Sequence, residues 1–141
     1  MIQLVRIQDG LPDGFEALRL EADREGHNNM TRLAAERSAG EPFFIALLAA
    51  YAGGELAGVG GLTAEPGPSA EPALRMRRLY VRPASRREGV GRTLASALIQ
   101  EAFDQTALVT VHAGDEAAAQ FWEALGFAPA IDRPWSHQLR R

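Results

Sequence analysis

The stretch from Arg77 to Phe103, RRLYVRPASRREGVGRTLASALIQEAF, narrows the folds open to this chain more than any other. Leu79-Tyr80-Val81 joins aliphatic, aromatic and β-branched residues and Pro83 closes the run, which predicts a strand. From Leu94 onward, Leu94, Ala95, Leu98, Ile99, Ala102 and Phe103 recur at three- and four-residue steps, the apolar stripe of a helix lying on a sheet. Between them stands Arg86-Arg87-Glu88-Gly89-Val90-Gly91, where two glycines let the backbone turn tightly and approach a ligand without a Cβ in the way. The first amides of a helix have no partner and carry the positive end of its dipole, so strand, glycine loop and helix start together read as a phosphate cradle in an α/β fold.

Charge sharpens this. From Ala73 to Arg92 there are seven arginines (75, 77, 78, 82, 86, 87 and 92) against one acid, Glu88, so the window is formally +6 in a chain of net charge −3. Such a concentration in an acidic chain points to a site for a polyanion and not to general affinity for nucleic acid. A dinucleotide fingerprint would need a small residue where Leu94 stands, and a Walker loop would need a lysine, of which the chain has none. The 141 residues, 46% hydrophobic, suit one core, so a single domain over 1–141 is expected. No apolar run approaches a membrane span and no cleavable leader pattern opens the chain, which favours the cytoplasm and no membrane partner. Without cysteine there is no disulfide, no thiolate metal site and no cysteine nucleophile. No metal is expected.

Along the rest of the chain, Met1 to Ile7 predicts a short strand, Phe15 to Glu25 a helix and Thr31 to Ser38 a second. Acids Glu21, Asp23 and Glu25 are candidates to attract a cationic amine, although a solvated helix face explains them more simply. Phe43 to Tyr51 and Leu56 to Leu62, joined through Gly53-Gly54, form a hairpin of central strands. Thr63 to Pro72, TAEPGPSAEP, reads as a mobile loop of the kind that shapes substrate access. Ala107 to His112 is a strand; Asp115 caps a helix that Gly126 ends; Trp135 to Leu139 is a final strand.

At Leu79-Tyr80-Val81 followed by Arg86-Arg87-Glu88-Gly89-Val90-Gly91, the sequence resembles the GNAT superfamily of acyl-CoA-dependent N-acetyltransferases, and DEAAAQFWEALGF from Asp115 to Phe127 is similar to a second motif of that family. The resemblance implies a mixed, mostly antiparallel sheet flanked by helices, whose parallel central strands, the ones carrying Leu79 to Val81 and Leu108 to Val111, splay apart. It implies acetyl-CoA as cosubstrate, with the Leu79, Tyr80 and Val81 segment holding the pantetheine arm through backbone groups. Arg86, Arg87, Glu88, Gly89, Val90, Gly91 and Arg92 would wrap the diphosphate, and Thr93 would add a hydroxyl. Dimers are frequent in the family, so it also admits a homodimer.

The reaction so implied is direct attack of an amine on the acetyl thioester. A lysine-like amine, with a pKa near 10.4, is protonated at neutral pH and must first lose a proton, whereas a thiol with a pKa near 8.5 leaves tolerably without an acid. Two residues depart from the family pattern: Trp122 stands where many members have a tyrosine acid, and Arg75 where many have a glutamate base. His112, His137 and Glu71 are the candidates to replace the base, alongside water relayed by backbone carbonyls. Arg75 and Arg77 share one side of a regular strand and are candidates to receive a carboxylate on the acceptor, the alternative being that their stems cover the sheet. A non-catalytic acyl-CoA sensor is the alternative function.

Overall fold

The computed structural model describes all 141 residues. Seven strands and four helices follow in the order β1 (Ile2–Arg6), α1 (Phe15–Arg24), α2 (Asn29–Ala39), β2 (Phe44–Ala52), β3 (Glu55–Ala64), β4 (Ala73–Val81), α3 (Val90–Phe103), β5 (Leu108–Val111), α4 (Glu116–Ala124), β6 (Ala128–Pro129) and β7 (His137–Arg140). They make one sheet in the spatial order β1-β2-β3-β4-β5-β7-β6. Every neighbouring pair is antiparallel except β4 and β5, which run parallel. The expected mixed, mostly antiparallel architecture is the one observed. No helix is long and apolar enough to cross a membrane.

The sheet is covered on both faces. Leu94, Ala95, Leu98 and Ala102 of α3 pack with Leu48, Leu62, Leu74, Met76, Val109 and Trp122 on one side. On the other, Leu18 and Ala22 of α1 and Met30 and Leu33 of α2 pack with Leu47, Val59 and Tyr80. Central strands buried on both faces lose their alternation, which is why Phe44 to Ala50 reads as a continuous apolar run, whereas Phe43 before it lies outside the strand and is exposed. Gly53 and Gly54, with φ of 61° and 80°, form the primed turn that matches the strand twist of the β2–β3 hairpin.

Strand β4 is not regular. Opposite Gly60 it carries two residues, Arg78 and Leu79, and Arg78 takes φ 64°, so the strand bulges there. The bulge resets the alternation, turning Leu79 and Val81 toward α3 and Tyr80 toward α1 and α2. A period-two reading of the sequence could not place it.

The segment before β4 departs from expectation. Its Glu65 carboxylate is almost fully buried and bonds to Arg75, Thr110 and the Gly67 amide, while Ser69 and Glu71 bond to each other. Residues 68–71 line a small cavity with Leu108, Arg133, Trp135, Gln138 and Arg140, at the end of the sheet away from the main groove. The loop is pinned by a buried carboxylate and does not shape that groove.

Candidate functional site

Pairing between β4 and β5 lasts for only three residues, Ala73 with Leu108, Leu74 with Val109 and Arg75 with Thr110. Beyond them β4 continues to Val81 against β3 alone, and β5 turns away with β7. The gap between the diverging strands opens into a groove of about 920 Å³. One wall is β4 from Arg75 to Val81, the facing wall holds Val111, His112, Phe121 and Trp122, and the glycine loop with the start of α3 lies at one end.

The β4 wall offers backbone polar groups. Arg82 donates its amide to Ala57 on β3, so by alternation the N–H and C=O of Leu79 and Val81 point the other way, into the groove. Their carbonyls find only side chains: Leu79 accepts from Asn29 Nδ2 at 3.4 Å and Val81 from Arg86 Nε at 3.1 Å. An extended, peptide-like ligand can pair with such an edge as an added strand does.

At the end of the groove, the first hydrogen bond of α3 runs from Thr93 N–H to Gly89 O at 2.9 Å, leaving the amides of Val90, Gly91 and Arg92 without an acceptor. Gly89 and Arg87 both hold left-handed backbone, φ 85° and 66°, which turns successive amides toward one concavity. A Cβ at Gly91 would stand 3.3 Å from the Phe121 ring, so glycine keeps that passage open. Amides, a helix dipole and two unpaired guanidinium groups, Arg87 and Arg92, suit a diphosphate.

The arginine count in the sequence overstates the loose charge. Arg86 is gripped by Glu25, just past the C-terminus of α1, at 2.6 and 2.8 Å, and lies over the Tyr80 ring, 5.5 Å from its centroid. Its guanidinium edges the groove but has its carboxylate already. Arg82 pairs with Glu55, Arg75 with Glu65, and Arg77 and Arg78 with Glu36. Glu88 and Thr93 do not line the groove, and the Thr93 hydroxyl donates to Gly89 O. Leu79, Tyr80, Val81, Arg86, Arg87, Gly89, Val90, Gly91 and Arg92 all line it.

The three candidate bases separate. Of these, only His112, at the end of β5, lines the groove. His137 is buried on β7, its ring nitrogens held by Glu123 at 2.8 Å and Ser136 at 2.9 Å. Glu71 forms a bidentate pair with Arg140 at the far end of the sheet, which holds its carboxyl below the usual range. Neither His137 nor Glu71 lines the groove, and each is engaged by partners elsewhere. Trp122 sits edge-on to Phe121 and Phe127 in the wall; its indole N–H has no partner in the protein and is not sealed from solvent.

Sequence reasoning missed His27, Asn29 and Arg32, which the connection between α1 and α2 and the start of α2 bring to the rim. No motif marks them, since a loop residue signals nothing until a distant strand comes to face it. It also missed the Glu25 cluster. The hydrogen bonds from Arg86 and then Tyr80 pull the Glu25 carboxyl down to about 2. Burial, followed by the Glu25 carboxylate it donates to at 2.6 Å, raises the Tyr80 hydroxyl, which therefore stays protonated and occupied. Glu21, Asp23 and Glu25, the candidates to draw in a cation, do not line the groove: Asp23 pairs with Arg19, and Glu25 with Arg86.

Comparison with known proteins agrees with this geometry. The family model described as the Acetyltransferase (GNAT) family matches residues 8–127. Among solved structures, a protein of Exiguobacterium sp. 255-15 provisionally assigned as an acetyltransferase is similar over 99% of this chain and 93% of its own, at 22% identity and a TM-score of 0.87. A provisionally assigned GNAT-family acetyltransferase of Desulfovibrio desulfuricans is similar over 99% of both chains, at 16% identity and a TM-score of 0.74. A Tyr-to-Phe variant of the toxin AtaT, bound to the C-terminus of the antitoxin AtaR and to acetyl-CoA, is similar over 99% of this chain and 92% of its own, at 17% identity and a TM-score of 0.73. No curated protein sequence matches. With the family model spanning most of the sequence and the splayed strands in place, the chain belongs to the GNAT family of acetyltransferases, which use acyl-CoA.

Proposed function

We propose that this protein, as one domain, transfers the acetyl group of acetyl-CoA to a primary amine of a small molecule or protein, by direct attack while both substrates are bound. The observation that carries the reading is the early end of the β4–β5 ladder at Arg75 and Thr110, which leaves the Leu79 and Val81 backbones open beside a helix start with three free amides. In this reading Leu79 and Val81 pair with the pantetheine arm. The amides of Val90, Gly91 and Arg92, with the guanidinium groups of Arg87 and Arg92, take the diphosphate. Arg86 orders the loop through Glu25 and does not itself clamp phosphate.

The Val81 amide is the donor closest in kind to what a developing oxyanion requires. His112 accepts the amine proton, directly or through one water. Because a thiolate leaves tolerably, a proton donor is dispensable, and the unpaired Trp122 N–H supplies a hydrogen bond to the departing sulfur in place of a proton.

Thiol release from acetyl-CoA in the presence of an amine panel tests the reaction. Amine-dependent release that falls at least tenfold in His112→Ala supports it, while tight binding with no amine dependence would leave a sensor instead. Gly89→Asp tests the cradle: a Cβ there meets nothing within 4 Å, so the fold survives at a cost of about 1–2 kcal/mol for a left-handed non-glycine residue, yet a carboxylate then faces the phosphates. Acetyl-CoA affinity is expected to fall more than a hundredfold. Unchanged affinity by calorimetry would remove the diphosphate from this loop.

A further inference from the structure

The groove is strongly one-signed. Seven arginines line it against a single acid, Asp115, whose carboxylate is engaged in capping α4 through the Ala118 amide at 2.8 Å. Three of the seven, Arg86, Arg87 and Arg92, stand at the start of α3. Of the other four, Arg32, Arg77 and Arg78 line the part of the groove next to α2, together with His27 and Asn29, and Arg75 stands further back along β4, beside Thr110 of β5.

Their partners do not suffice. Glu65 is absorbed by Arg75, which also holds Thr110 Oγ1 and so has a settled structural place. Both oxygens of Glu36 are taken by Arg78, at 2.9 and 2.7 Å. Arg77 is left with one long contact to the same carboxylate, 3.4 Å, and its Nε is buried with no acceptor at all. Arg32, close enough to repel Arg77, forms no ion pair of its own. Burial first, then the neighbouring Arg78 charge, lowers the pKa of Arg77, as expected for a guanidinium short of counter-charge. The Arg78 bulge produces this crowding by setting consecutive arginines against one glutamate. A second cation on the acceptor would meet the wrong field here, and an oxyanion would supply the counter-charge that Arg77 lacks.

We propose that the acceptor is a small amine that also carries an oxyanion, a carboxylate or a phosphate, received by Arg77 and Arg32 on the α2 side of the groove. The proposal rests on the acetyltransfer reading and names its substrate class. Four amines of similar length test it: 4-aminobutanoate and 2-aminoethyl phosphate, which carry an oxyanion at the far end, 4-aminobutanamide, whose far end is uncharged, and 1,4-diaminobutane, whose far end is a second cation. The two oxyanion-bearing amines are expected to exceed the other two at least tenfold in kcat/KM, and the better of them identifies the anion. Arg77→Met and, at an exposed position that leaves folding undisturbed, Arg32→Ala should each erode that preference, mainly through KM.

A second measurement needs no turnover. In an NMR titration of the coenzyme A-saturated protein, 4-acetamidobutanoate should bind at least tenfold tighter than 4-acetamidobutanamide, with the difference lost in both variants. Equal use of amines with and without an oxyanion, or a preference that both variants keep, would overturn the proposal. Amine-dependent thiol release with any of the four amines reads the underlying acetyltransfer assignment separately, so the two failures are distinguishable.

Discussion

Glu25 shows how much one side chain can tie together. It accepts two hydrogen bonds from Arg86 and one from Tyr80, joining the end of α1 to β4 and to the glycine loop 61 residues away in sequence. Its folded-state pKa of about 2 lies below the usual value near 4.3, so its contribution to stability is fully present above that usual value and is lost as pH falls toward 2. Glu25→Gln is therefore expected to be less stable than the parent at pH 7, with the difference closing on acidification toward pH 2. Chemical denaturation at several pH values measures this, and a gap independent of pH would show that the cluster does not titrate as described. The same substitution frees Arg86, which makes the glycine loop less ordered.

At the scale of elements, the site depends on close approach between β3, β4 and α3. Gly58 on β3 has no room for a side chain, since a Cβ would lie 2.8 Å from the Tyr80 carbonyl and 3.1 Å from Leu94 of α3. Gly58→Ala must push β4 or α3 outward, and overpacking of this kind costs about 1–3 kcal/mol. A lowered denaturation midpoint is the expected result, and a midpoint equal to that of the parent would mean that the strands accommodate the methyl group freely. The Arg78 bulge is the other local device. It holds a non-glycine residue in left-handed backbone, a strain usually found at functional positions, and presents Tyr80 to one helix layer while Leu79 and Val81 serve the other.

For the whole molecule, the three-residue parallel ladder is the compromise on which the groove depends: longer pairing would close it, and none would leave β5, β7 and β6 joined to the rest of the sheet by side chains alone. A ligand that bridges β4 and α3 should therefore stabilise the folded state. At a hundredfold excess over Kd, coenzyme A is expected to contribute about 2.7 kcal/mol, raising Tm by roughly 5–10 °C; a melting curve indifferent to it would contradict binding at this groove. The elements themselves were legible in the residues, because hydrophobic period, glycine turns and the Asp115 cap act over a few positions and need no distant partner. So was the glycine loop leading into a helix, whose free first amides follow from its simply starting at Val90. Which arginines remain unpaired, which histidine reaches the groove and where β4 bulges were decided only in three dimensions. For the arginines from Arg75 to Arg86, charge is settled by partners that folding brings from 10 to 61 positions away, such as Glu65 for Arg75 and Glu25 for Arg86, and no local pattern encodes those distances.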